Sequence, residues 1–172
     1  MSTPASQNVR QKHANAFSES RANWISPSPI PDSPVKLVID ASIGVKALLQ
    51  EHNSSKAWQL CDDFRKGIHQ LFAPDLYFLE VGNVLVMAQR SGKITQNDLL
   101  LFYGDLIRNQ PIIAPSTSLF PRAFDIAARI RVSLYDATYL ALAEQESCPL
   151  LTEDVKLINA AHGFSTLTLD SL

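Results

Sequence analysis

Cysteine is scarce in this chain: 2 in 172 residues, Cys61 and Cys148. They lie far apart in apolar stretches, so reduced core thiols are expected rather than a disulfide, in keeping with a cytoplasmic protein. Charge of one sign is missing too. Lys and Arg number 15 against 17 Asp and Glu, a net charge of −2. That balance argues against a bulk cationic nucleic-acid binder, though a local basic patch stays open. No apolar run reaches the roughly 18 residues of a membrane helix, so no membrane partner is expected. The 6 glycines are scattered, without a Gly-rich phosphate loop, which speaks against nucleoside triphosphate binding. His13, His52, His69 and His162 share no metal-ligand spacing.

What is present is a globular composition, 46% hydrophobic, enough for a real core in one domain. Residues 1–34 differ from the rest. They are rich in Ser, Pro, Asn and Gln, and Ser26-Pro-Ser-Pro-Ile-Pro31 cannot propagate a helix or a central strand. A disordered or extended tail is expected there. Arg10 and Lys12 without an acid among the first residues also faintly fit an organelle transit peptide. From Val35 the pattern changes. Short β-rich runs at 37–39, 69–73, 112–114, 149–152 and 165–169 alternate with helical patterns. Ser54 or Ser55 is expected to cap one helix, with Gly67 ending it. Pro74 and Asp75 open the next, Thr95 with Asp98 makes a capping box, and Ser118 caps a further helix. Strands alternating with helices predict an α/β fold, a mostly parallel sheet covered on both faces. Its ligands would then bind beyond the carboxyl ends of the strands.

Four acids sit where a surface role is hard to argue. Asp40 ends Lys36-Leu-Val-Ile-Asp40, and Glu80 lies within Leu76-Tyr-Phe-Leu-Glu-Val81. Asp136 precedes Ala137-Thr-Tyr-Leu-Ala-Leu-Ala143, and Asp154 follows Pro149-Leu-Leu-Thr-Glu153. Carboxylates rarely go inside unless paired or metal-bound. Each has a plainer reading: Asp40, Asp136 and Asp154 can cap helices, and Glu80 can lie on an exposed stripe. Brought together, they would form an all-oxygen cage. Two carboxylates about 5 Å apart repel by about 3 kcal/mol at an effective dielectric of about 20, so such a cluster calls for a cation. Magnesium or manganese suits oxygen donors.

In order and spacing, these blocks resemble the PIN-domain nucleases, and most closely the VapC-like toxins of toxin–antitoxin pairs. The resemblance runs from Lys36 to Leu169. Val38-Ile-Asp-Ala-Ser42 is similar to the family's opening strand with its first acid. Glu80 with Val81-Gly-Asn-Val-Leu85 is similar to the second block, Leu134-Tyr-Asp-Ala-Thr-Tyr-Leu-Ala-Leu-Ala143 to the third, and Leu151-Thr-Glu-Asp-Val-Lys-Leu157 to the fourth. Two departures stand out: the N-terminal tail, and Glu153 beside Asp154, which puts two acids at the fourth block.

The resemblance implies a three-layer α/β/α PIN-like domain over residues 35–172 and metal-dependent endonucleolytic cleavage of RNA. Asp40 and Asp136 are the expected principal ligands of Mg2+ or Mn2+. Asp154 would complete the cage directly or through water, and Glu80 would hold or deprotonate the attacking water. Ser42 and Thr152 would orient the acids. It also implies an RNA substrate, an antitoxin partner and a two-fold homodimer. The helix after Asp75 carries Leu79, Val84, Val86 and Met87, and the helix after Thr95 carries Leu99 to Phe102, Leu106 and Ile107. Four consecutive apolar residues cannot all face one core stripe, so either this region is an interface or a larger core buries the whole second helix. Two other readings are weaker. A phosphoacceptor receiver needs an acid pair after the first strand and a lysine after the last, and neither is present. A PIN fold kept as a binding module would not need all four acids. A PIN nuclease of RNA processing, without an antitoxin, fits the residues as well as the toxin does.

Overall fold

The computed structural model describes residues 34–49 and 51–172; all but the last residue of the expected tail lies outside them. Among these residues five strands form one sheet: β1 (Lys36–Ile39), β2 (Gln70–Pro74), β3 (Ile112–Ala114), β4 (Leu150–Leu151) and β5 (Thr166–Leu167). Their order is β3-β2-β1-β4-β5. All four pairings are parallel, with Val38 opposite Phe72 on one side and Leu150 on the other. A central parallel strand is covered on both faces and needs no alternation. Accordingly Leu37, Val38 and Ile39 are all buried.

Among the described residues seven helices connect and cover the strands: α1 (Ala41–Leu48), α2 (Ser54–Arg65), α3 (Tyr77–Arg90), α4 (Gln96–Arg108), α5 (Ser116–Ile130), α6 (Leu134–Glu146) and α7 (Val155–Ala160). One group packs α1 against α2, α3 and α4; the other packs α5 along α6, which lies on β1, β2 and β4. The middle of helix α6 is buried on every side, Ala137 through Ala143 without interruption, while its ends carry Asp136, Glu144 and Glu146. Leu140 and Leu142 are 0% exposed, and each such burial contributes about 2 kcal/mol. Small Ala137, Ala141 and Ala143 let this helix lie close on the sheet.

Several sequence expectations need correction at the helix ends. Asn53, in the left-handed region at φ 65°, precedes α2 and makes no side-chain cap. Ser54 instead closes the loop before it, donating to the Leu49 carbonyl and accepting from the Glu51 amide, both at 2.7 Å. Ser118 lies inside the first turn of α5 and donates to the Pro115 carbonyl. The acceptor at that helix start comes from 41 residues away: Asp75 accepts from both the amide and the hydroxyl of Ser116. Asp75 therefore ties α5 to the end of β2 rather than opening α3, and Pro74 is the last residue of β2. The Thr95–Asp98 capping box is present, and Gly67 ends α2 with φ 77°. Gly44 is required for a different reason. A Cβ there would sit 2.8 Å from Cζ of Tyr77 and 3.0 Å from Val81, so α1 and α3 cross at van der Waals contact only without one.

Candidate active site

The strand order reverses between β1 and β4, since β2 and β3 lie on one side of β1 and β4 and β5 on the other. Beyond the carboxyl ends of those two strands a doubly wound sheet opens a crevice. Asp40 stands at this point. It follows β1 directly and caps α1, its Oδ1 accepting from the amides of Ser42 at 2.8 Å and Ile43 at 3.4 Å. The Ser42 hydroxyl also donates to Oδ1, and the Thr152 hydroxyl donates to Oδ2. Both hydroxyls reach further. Ser42 Oγ accepts from the Glu153 amide and Thr152 Oγ1 from the Asp154 amide, each at 3.0 Å. The ends of β1 and β4 are thus stitched together around one carboxylate. Asp40 is 7% exposed. Burial pushes its carboxyl above the usual range, against the opposing pull of the Ser42 and Thr152 hydrogen bonds. Three of its four donors converge on Oδ1, while Oδ2 accepts only from Thr152 among the described residues and keeps a lone pair for a cation or its water.

Glu80 is the second acid, in the first turn of α3. Its carboxyl is also pushed up, first by burial and then by the charges of Asp40 and Asp136, against a lowering hydrogen bond from Tyr139. Glu80 therefore lies within reach of the charges of both other acids. Asp136 is the third residue of α6, where Ser133 caps its amide at 3.0 Å and donates to its Oδ2 at 2.7 Å. Asp154 is different. It is exposed, caps α7, and gives its Oδ1 to the amides of Lys156 at 2.8 Å and Leu157 at 3.2 Å. Its link to Asp40 runs only through Thr152. The side chains are not closed around a common point: among the described residues no three His, Cys, Asp or Glu are grouped so as to hold a metal ion.

Glu153 does not compete as the fourth acid. Its Oε1 accepts from the Leu169 amide at 2.8 Å and its Oε2 lies 3.9 Å from Lys46 Nζ, which ties the C-terminal segment down. Among the described histidines, His69 is buried and accepts from the Val35 amide, away from the acids. The residue that sequence reasoning missed is Tyr139, whose hydroxyl donates to Glu80 Oε2 at 2.6 Å. The signal was its spacing. Three residues after Asp136 on a helix, it shares that acid's face.

None of Asp40, Glu80, Asp136 and Asp154 forms an ion pair among the described residues. Nine other acids do, among them Asp62, Glu144, Glu146 and Glu153. An oxygen-only set of mutually repelling carboxylates, with no Lys or Arg set against it, matches the donor chemistry of a hard divalent cation.

Residues 37–163 match the family profile of the PIN domain. Ribonuclease VapC9 of Mycobacterium tuberculosis is 29% identical over 133 residues, covering 77% of this chain and 97% of that protein. Among solved structures, PAE2754 from Pyrobaculum aerophilum superposes with a TM-score of 0.61 at 20% identity, over 79% of this chain and 85% of that one. A toxin–antitoxin complex from Klebsiella pneumoniae gives 0.54 at 18% identity, over 79% and 99%.

Proposed function

The chain belongs to the PIN-domain family, and we propose on that premise that it is a divalent-cation-dependent endoribonuclease, the toxin of a toxin–antitoxin pair. The observation that carries the reading is the buried Asp40 carboxylate at the sheet's switch point, with Glu80 under the charges of Asp40 and Asp136 and none of the three in an ion pair among the described residues. The relative named a ribonuclease supports RNA as the substrate, and the toxin–antitoxin neighbour supports a protein partner.

Asp40 and Asp136 would hold Mg2+ or Mn2+, with Asp154 reaching it directly or through water. When bound, the cation supplies a site for the scissile phosphate, a more acidic water and stabilisation of the leaving oxygen. The chain's own residues do the rest. Glu80, its carboxyl raised above the usual range by burial, is a better proton acceptor for the attacking water than a solvated glutamate. Ser42 and Thr152 hold the Asp40 carboxylate by its two oxygens and so fix its plane. Single-stranded RNA is the favoured form, because its backbone can bend into a crevice and its bases can splay. Arg90, Lys93 and Arg131 are exposed without ion pairs among the described residues and are available to phosphates.

The protein also pairs, in this reading, through α3 and α4. Of the second helix only Leu106 is buried, so no larger core absorbs it among the described residues. Leu79, Met87, Leu100, Leu101, Tyr103 and Ile107 remain exposed, and the α3–α4 groove is lined almost wholly by apolar atoms. The deciding experiment uses protein purified free of antitoxin with single-stranded RNA. Cleavage is expected with Mg2+ or Mn2+ and none in EDTA; cleavage undiminished in EDTA overturns the mechanism.

A further inference from the structure

We propose that Tyr139 is a positioning residue for Glu80: its hydroxyl takes one carboxylate oxygen and reserves the other for the cation or its water. The inference rests on the carboxylate reading above and deepens it. The bond joins α6 to α3, with Tyr139 Oη 2.6 Å from Glu80 Oε2, across 59 residues of sequence. Its length is that of a charge-assisted hydrogen bond. Glu80 Oε1 accepts no hydrogen bond among the described residues, so the two oxygens are in different states. The phenol cannot swing away, since Tyr139 is 2% exposed within the core. Nor does it exchange its role: a phenol hydroxyl facing a carboxylate oxygen is the donor of the pair.

Position on the helix gives the arrangement its sense. Asp136 and Tyr139 are three residues apart on α6 and present a carboxylate and a phenol on one face. Rigid α6 therefore sets where the Glu80 carboxylate stands relative to Asp136, although Glu80 belongs to another helix. A free glutamate side chain samples many rotamers, and a reacting carboxylate must be held within a fraction of an ångström. A plainer role is a core aromatic whose hydroxyl merely finds a partner. The two roles separate when the hydroxyl is removed and the ring kept.

The test is Tyr139→Phe, with Mn2+ titrated by electron paramagnetic resonance into the RNA-free protein, and kcat and KM measured separately. Mn2+ affinity is expected to fall about tenfold, as it does for partners that orient ligands, and kcat by a similar factor with KM for RNA unchanged. In a Glu80→Ala background the same change should have no further effect on Mn2+ affinity, because the group it positions is gone. Affinity and kcat within about twofold of the parent overturn the role, as does an equal loss in both backgrounds. The control is Asp136→Asn. If Mn2+ binds that variant as tightly as the parent, the carboxylate site itself is wrong and the Tyr139 role falls with it. If Asp136→Asn loses Mn2+ and Tyr139→Phe does not, only the positioning role fails.

Discussion

Acids on the outer surface of α5 and α6 and acids at the carboxyl end of the sheet receive opposite treatment from the same fold. On the outside, Arg122 grips Glu144 with two hydrogen bonds of 2.6 and 2.8 Å, and Lys36 meets Glu146 at 2.9 Å. Those partners hold both carboxyls below the usual range. At the sheet end, burial holds Asp40 and Glu80 above it, and Asp40 and Asp136 add like charge against Glu80. The outer acids contribute to the fold at neutral pH. The inner ones are carried at a cost to it, and gathered like charge of that kind marks a site of chemistry.

The comparison breaks most directly by neutralising one acid in each region. Asp136→Asn should reduce RNA cleavage to background. Glu80→Gln should lower kcat by about 10²- to 10⁴-fold, the usual worth of a general base. Glu144→Gln should leave kcat unchanged, and a loss there as deep as at Glu80 would erase the distinction. The apolar surface offers the next effect. Light scattering should find a dimer at micromolar concentration, converted to monomer by Leu100→Lys on α4 but not by Phe124→Lys on α5, both exposed. A monomeric parent would end the α3–α4 interface.

The pH dependence of stability sharpens the contrast with smaller effects of opposite sign. Glu80 has a raised folded value, so its contribution is present below the unfolded carboxyl range and is lost as pH rises through the folded value. In EDTA, Glu80→Gln, whose carbonyl can still accept from Tyr139, should therefore melt above the parent at neutral pH. The gap should close as pH falls toward about 4. Glu144 has a lowered folded value, so its contribution is present above the unfolded range and lost as pH falls through the folded value. Arg122→Gln should then melt slightly below its parent at neutral pH and match it in acid, the smallest of these effects because the pair is solvent-exposed. Melting curves across pH that show one common sign for both variants would contradict the assignment.

Most of the architecture was legible. Alternating short β-rich runs and helical patterns gave five strands and a parallel sheet, because a strand buried on both faces must be continuously apolar, as Leu37-Val-Ile39 is. Helix starts were less legible. Ser54 and Ser118 are good capping types, yet in the structure their hydroxyls serve neighbouring loop carbonyls, while Asp75 supplies the acceptor for α5 from a distant position. Local preference identifies a residue able to cap; it does not say which backbone comes near.

The candidate site divides in the same way. Asp40, Glu80, Asp136 and Asp154 stand out in sequence because a carboxylate beside an apolar run requires a reason. The strand order β3-β2-β1-β4-β5 was not legible, because alternating strands and helices predict a parallel sheet but not where its winding reverses. Tertiary structure alone decided which acids interact. It set Glu80 within the fields of Asp40 and Asp136, left Asp154 capping α7, and turned Glu153 away to Leu169 and Lys46. It alone also placed the Tyr139 hydroxyl on Glu80, since a hydrogen bond between two helices depends on their packing, which no spacing along a single helix encodes.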